Sequence, residues 1–180
     1  MSLASASPPQ TLASKPGKAF EALFKRGMES AGAFVYRLRD CPNWGDGDGE
    51  RVRFSVGNIA DYFVFLYDTM FIVECKTVQG KSIRWDAVKE KHLAALCRAA
   101  EHTGVEAGIM VHFRGDDQMV WFDARAWRAH RDEATKKSFN TQEAEFFATD
   151  YVDKFGRTWI WKDWLTSWLR RPKDYQQGIV

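Results

Sequence analysis

The sequence predicts an α/β domain in which a central mixed β-sheet of about five strands is flanked by helices. Three observations predict it. Residues 62–67 and 70–73 are two apolar runs around the short break Asp68-Thr69, the pattern of a hairpin buried on both faces. Residues 107–113 and 118–122, joined by the polar turn at 114–117, form a second hairpin that extends the same sheet. Two segments around them, 17–30 and 86–102, carry apolar residues at helical spacing.

In chain order, residues 1–16 are small, polar and proline-bearing, and bury too little surface to offset their ordering entropy, so a disordered tail is expected there. The rest, 17–180, reads as a single domain. Helix 17–30 has Phe20, Leu23, Phe24 and Met28 as its apolar stripe, with Gly32 as its stop. A strand follows at 33–38. Residues 41–50 form a loop in which Asp46, Asp48 and Glu50 alternate with glycines, an acidic turn without the ligand order of a calcium loop. Residues 51–56 alternate polar and apolar and can pair with the hairpin as a further strand. After the hairpin and a polar connection, Asp86 is placed to cap a helix running to His102, with Val88, Leu93, Leu96 and Cys97 on its buried side and Gly104 as its end. Beyond Asp123 comes a charged helix at 124–136. The segment 124–180 reads as a helical, tryptophan-rich extension of the core, in which Trp161, Trp164, Leu165 and Trp168 share one helix face before Arg170-Arg171-Pro172. That periodicity favours packing or a subunit contact over base stacking.

The chain has 180 residues, enough for one compact core. No apolar run approaches the roughly 20 residues of a membrane span, and the first residues lack the charged and apolar regions of a secretory signal. The three cysteines, Cys41, Cys75 and Cys97, are widely spaced and odd in number, which points to a reducing, cytoplasmic setting without disulfides or a structural zinc site. His112 and His130 read as structural. The formal net charge is +2, but between Lys15 and Arg39 six basic residues face only Glu21 and Glu29. Local excess of this kind, rather than the total, is what a phosphate backbone responds to.

The chemistry is concentrated at Asp61, Glu74 and Lys76. Buried carboxylates cost several kcal/mol unless paired or bound to a cation, and these two stand at the ends of a core hairpin. Alternation along a strand puts Glu74 and Lys76 on one face and Cys75 on the other. A turn at Asp68-Thr69 brings Asp61 opposite them. Hard carboxylate oxygens with few protein ligands suit Mg²⁺, or Mn²⁺ in its place.

An Asp, a spacer of 12 residues and then Glu74-Cys75-Lys76 resembles the PD-(D/E)xK nuclease superfamily. Gly17-Lys18-Ala19-Phe20-Glu21, Ala60-Asp61-Tyr62, Glu74-Cys75-Lys76-Thr77 and the segment from Lys91 to Leu96 together resemble Holliday junction resolvases of the RecU and archaeal Hjc kind. The resemblance spans residues 17–122 and implies a restriction-endonuclease-like nuclease core. It implies Asp61, Glu74, Lys76 and Glu21 as catalytic residues, and a metal site of Asp61, Glu74, Glu21 and the Cys75 carbonyl. It implies DNA contacts from Lys18, Lys25, Arg37, Arg39, Lys89, Lys91 and His92, the last standing where RecU proteins have Gln. A bland alternative pairs Glu21 with Lys25 one helical turn on.

The function so implied is a Mg²⁺-dependent endodeoxyribonuclease that resolves four-way DNA junctions by paired nicks as a homodimer, since matched cuts ask for two symmetric sites. Another endonuclease of the same superfamily, or a DNA-binding module without catalysis, is the alternative.

Overall fold

The structure, a computed structural model, describes residues 15–38, 58–155, 158–159 and 161–169. The expected tail, the acidic loop, the strand at 51–56, Cys41, Arg39 and Arg170-Arg171-Pro172 lie outside the described residues, apart from Lys15 and Pro16.

Helix α1 (Pro16–Ser30) begins on a proline, which gives up no helical hydrogen bond at that position, and ends in a Schellman motif. Gly32, at φ 90°, donates to the Glu29 carbonyl and Ala33 to the Met28 carbonyl. The chain then enters β1 (Phe34–Arg37), which pairs antiparallel with β2 (Tyr62–Leu66). The next turn lies one residue earlier than the sequence indicated, at Tyr67-Asp68, with Tyr67 at φ 53°. Strand β3 (Thr69–Val78) then runs five residues past the predicted end of its apolar run, so Glu74, Cys75 and Lys76 lie inside it. Only the Phe71–Cys75 stretch is buried on both faces; β2 exposes Phe65.

The long β3 is explained by its neighbour. It pairs in parallel with β5 (Val105–Phe113) over nine residues, from Met70↔Val105 to Val78↔Phe113. A parallel partner has to return through a crossover, and here it is the segment 79–104. That crossover holds β4 (Ser82–Arg84), a 3₁₀ turn at Trp85–Ala87 and helix α2 (Glu90–Ala99). Asp86 therefore does not cap α2. It sits in the 3₁₀ turn with both carboxylate oxygens on Arg84, and the helix starts three residues later and stops three earlier than predicted.

Strand β6 (Gln118–Asp123) completes the second hairpin, and Asp123 caps α3 (Ala124–Glu133) by accepting from the amides of Arg125 and Ala126. Then come β7 (Ser138–Asn140), which pairs with β4, and α4 (Thr141–Ala144). They are followed by β8 (Asp150–Val152), β9 (Lys154–Phe155), β10 (Thr158–Trp159) and α5 (Trp161–Leu169). Strands β9 and β10 form a small ribbon of their own. Among the described residues the main sheet has six strands in the order β1-β2-β3-β5-β6-β8. Strands β4, β7 and β8 have no apolar run long enough to announce them, which is why the sequence showed fewer strands and read the connection after β3 as irregular.

Two cores lie on opposite faces of this sheet. On one face α1 and α5 cover Tyr62, Val64, Phe71, Val73, Cys75, Met110 and Trp121. Trp161, Trp164 and Leu165 are buried there, so the tryptophan-rich segment packs against the core, Trp161 edge-on to Phe24 and Trp164 against Phe71. On the other face α2, α3, the 3₁₀ turn and α4 cover Ile72, Ala107, Ile109, Val111 and Phe122 around a cluster of Trp85, Trp127, Phe139 and Phe147. Gly108 is required by close approach: a Cβ there would run into the Phe122 carbonyl and the Trp121 ring. Among the described residues no helix is long and apolar enough to cross a membrane.

Candidate active site

The site forms where the β2–β3 ladder ends. The last register pair is Tyr62↔Val73. Beyond it the Asp61 amide donates to the Val73 carbonyl (3.1 Å), while its carbonyl accepts from the Leu38 amide (2.9 Å). The Cys75 amide, which would otherwise seek a carbonyl on β2, donates to Asp61 Oδ2 at 2.8 Å. The Asp61 side chain thus stands in for a backbone acceptor, and three hydrogen bonds fix where it sits.

Across from it, Glu74 and Lys76 share a face of β3, with Lys76 Nζ 2.5 Å from Glu74 Oε1. Glu74 is buried and Lys76 partly open to solvent. Burial, and then the charge of Asp61, push the Glu74 carboxyl above its usual range; Lys76 and His92 oppose the shift without cancelling it. His92, in the first turn of α2, brings Nδ1 to 4.0 Å from Glu74 Oε1. Cys75 points to the opposite face, where burial and the neighbouring carboxylates hold its thiol well above the ordinary value, so it is no thiolate nucleophile. A strand residue presents its N–H and C=O to the same neighbour. The Cys75 carbonyl therefore faces the Asp61 side along with the amide.

The remaining predicted residues divide between the two faces. Glu21 lies on α1, beside Tyr62, whose hydroxyl donates to the Glu21 carbonyl at 3.1 Å and is pushed up to about 12 first by burial. Its carboxylate is held by Arg37 Nη2 at 2.5 Å, not by Lys25, which instead pairs with Glu29 at 3.6 Å. Lys18 is exposed on the same helix. Lys89 and Lys91 are exposed at the start of α2, on the face that carries Glu74. The Glu21 carboxylate is thus engaged by Arg37 on the α1 side, where its charge and that of Asp61 both bear on Arg37, Tyr62 and Cys75, and among the described residues no three His, Cys, Asp or Glu side chains converge as a ready-made metal cluster.

Two hard carboxylates close enough for one to raise the other's pKa, next to an inward-facing main-chain carbonyl, are a donor set that a small divalent cation fits. The sequence reading did not single out Phe34, Tyr36 and Phe65, exposed aromatics on the strands leading to Asp61. The signal was the run at 34–36, apolar on both faces of an edge strand where one face sufficed.

No family model matches the sequence, and a comparison with curated proteins found no match. Among solved structures, the fold is similar to the 1.6 Å structure of Archaeoglobus fulgidus Hjc, a Holliday junction resolvase from an archaeal hyperthermophile. The identity is 17% and the TM-score 0.49, over 72% of this chain and 93% of that one.

Proposed function

We propose that this protein is a divalent-metal-dependent endodeoxyribonuclease that resolves four-way DNA junctions by paired, symmetric nicks as a homodimer, with residues 17–180 as its catalytic domain. The observation that carries the nuclease reading is the meeting of Asp61, Glu74 and Lys76 where the β2–β3 ladder ends, with the lysine 2.5 Å from a buried carboxylate. The choice of a four-way junction rests on the order of sequence motifs from Gly17 to Leu96.

Asp61 and Glu74, with the Cys75 carbonyl, would hold Mg²⁺ or Mn²⁺. When bound, such an ion lowers the pKa of its water and offsets charge on a phosphate oxygen. The chain's own groups do the rest. Lys76 orients the attacking water and counters charge that develops on the phosphoryl oxygens. The hydrogen bond from Cys75 holds the Asp61 carboxylate in place before substrate arrives. His92, within reach of Glu74, and the exposed Lys89 and Lys91 draw the phosphate backbone toward that face. Glu21 joins as a further carboxylate only by releasing Arg37, which would then be available to a phosphate along with Lys18 and Lys25.

The test is cleavage of end-labelled four-way junctions and matched linear duplex in Mg²⁺ by wild type and Asp61→Asn. Symmetric nicks in the junction alone, absent with the variant, are expected. Equal cutting by both proteins overturns the catalytic reading, and equal cutting of linear duplex by wild type reassigns the chain to a general endonuclease.

A further inference from the structure

The pairing register continues the candidate site into a row of exposed rings. In an antiparallel pair, directly opposed residues point to the same face. Glu74 is the next residue of β3 beyond the last pair, Tyr62↔Val73; one row along, Tyr36 opposes Phe63, which opposes Ile72; one further, Phe34 opposes Phe65, which opposes Met70. Alternation keeps all of these on the Glu74 face, because the intervening Val35, Tyr62 and Val64 pack on the opposite one. Successive rows are about 7 Å apart. Helix α2 covers the sheet over β3 and β5 but leaves β1 and β2 open, so Phe34 is 67%, Tyr36 56% and Phe65 46% exposed. A contiguous aromatic surface of this kind on one sheet face marks a binding surface rather than scattered exposure.

We propose that Phe34, Tyr36 and Phe65 are a stacking platform for unpaired bases of the DNA strand being cut, next to the scissile phosphate. The inference rests on the nuclease reading above and extends it to the part of the substrate that is recognised. The occupant follows from continuity and charge. The platform begins one row from Glu74, and the same face carries the exposed Lys89 and Lys91, which among the described residues have no carboxylate partner. Aromatic rings and exposed cations on one face suit a strand that offers bases and phosphates together, as single-stranded nucleic acid does. At a branch point some bases leave their stack, and the rings would hold them open while the backbone crosses Asp61 and Glu74.

The test is binding in EDTA, where cleavage does not interfere, of a fluorescent oligothymidylate and a blunt duplex to the full chain and to Phe34→Ala, Tyr36→Ala and Phe65→Ala. Sedimentation of each protein is run in parallel. Loss of about tenfold in single-strand affinity per ring, with duplex affinity within about twofold and an unchanged sedimentation coefficient, is expected. Equal losses for both ligands, or none for either, overturn the platform. A fall in mass on substitution overturns it in favour of a subunit contact through this face. Junction cleavage by wild type separates the two readings: ring-dependent binding without cleavage leaves the platform and removes the nuclease, while cleavage without ring-dependent binding does the reverse.

Discussion

Two carboxylate–cation pairs sit on opposite faces of this sheet, and both close to 2.5 Å. The Glu74 side chain is 6% exposed and that of Glu21 20%, and their partners differ as much: a lysine two residues along the same strand, an arginine reached across from α1 to β1. The Arg37 pair needs no further account, since a surface pair of this type contributes at most about 1 kcal/mol. The Glu74 pair does, because it has been taken out of water next to a second carboxylate. Equal distances therefore carry unequal meaning, and the burden of explanation falls on the pair with the less favourable surroundings.

The largest expected effect tests that inequality through activity. Asp61→Asn and Lys76→Ala are each expected to lower junction cleavage about 100- to 1,000-fold, the scale of removing one group that stabilises a transition state, with junction affinity little changed. Glu21→Gln is expected to cost less than about tenfold. Should Glu21→Gln prove as damaging as Asp61→Asn, the two faces would act as one site. Single-turnover cleavage rates decide it.

Next in size is the rigidity of the α1 side. Gly108→Ala forces a methyl against Trp121 and the Phe122 carbonyl, and overpacking of this sort costs about 1–3 kcal/mol. Urea unfolding should show the midpoint falling with the slope unchanged.

A smaller effect comes from pH. The folded state raises the Glu74 pKa above its usual 4.5, so it favours the protonated acid. The resulting stability is complete below that value and is lost as pH rises through the raised one. In EDTA, the melting temperature of Glu74→Gln should therefore improve relative to wild type as pH climbs upward from about 4.5. A difference that stays constant across the window would show that Glu74 feels no net penalty. Smallest of all, Arg37→Ala should shift stability by less than about 1 kcal/mol, read from the same melts.

Much of this was legible in the sequence, and the reasons are specific. Alternation and hairpin spacing carry Asp61 to the end of the β2–β3 ladder, where its carboxylate accepts from the Cys75 amide, because a register is fixed wherever one face is buried. The tail helix was placed by the i, i+3, i+4 spacing of Trp161, Trp164 and Leu165. What did not show was set by tertiary partners. Strand β3 extends to Val78 because β5 lies beside it, a long-range pairing that the polar residues after Val73 conceal. Asp86 has the right chemistry for a cap, but Trp85 is buried with Trp127 and Phe139, and that anchors a 3₁₀ turn in place of the helix start. Glu21 chose Arg37 over Lys25 because β1 brings the arginine alongside, which helical spacing alone could not reveal.

The Asp61 carboxylate is also the acceptor that closes the Cys75 end of the ladder. Replacing it with alanine would therefore do two things at once: silence whatever the residue performs and leave a strand amide unanswered. The acid cannot be discarded freely even where its charge is not needed; asparagine, which preserves the acceptor, is the replacement with least damage to the fold. An asparagine at this position in a sequence otherwise like this one would accordingly keep the strand amide answered and the fold intact while removing the charge.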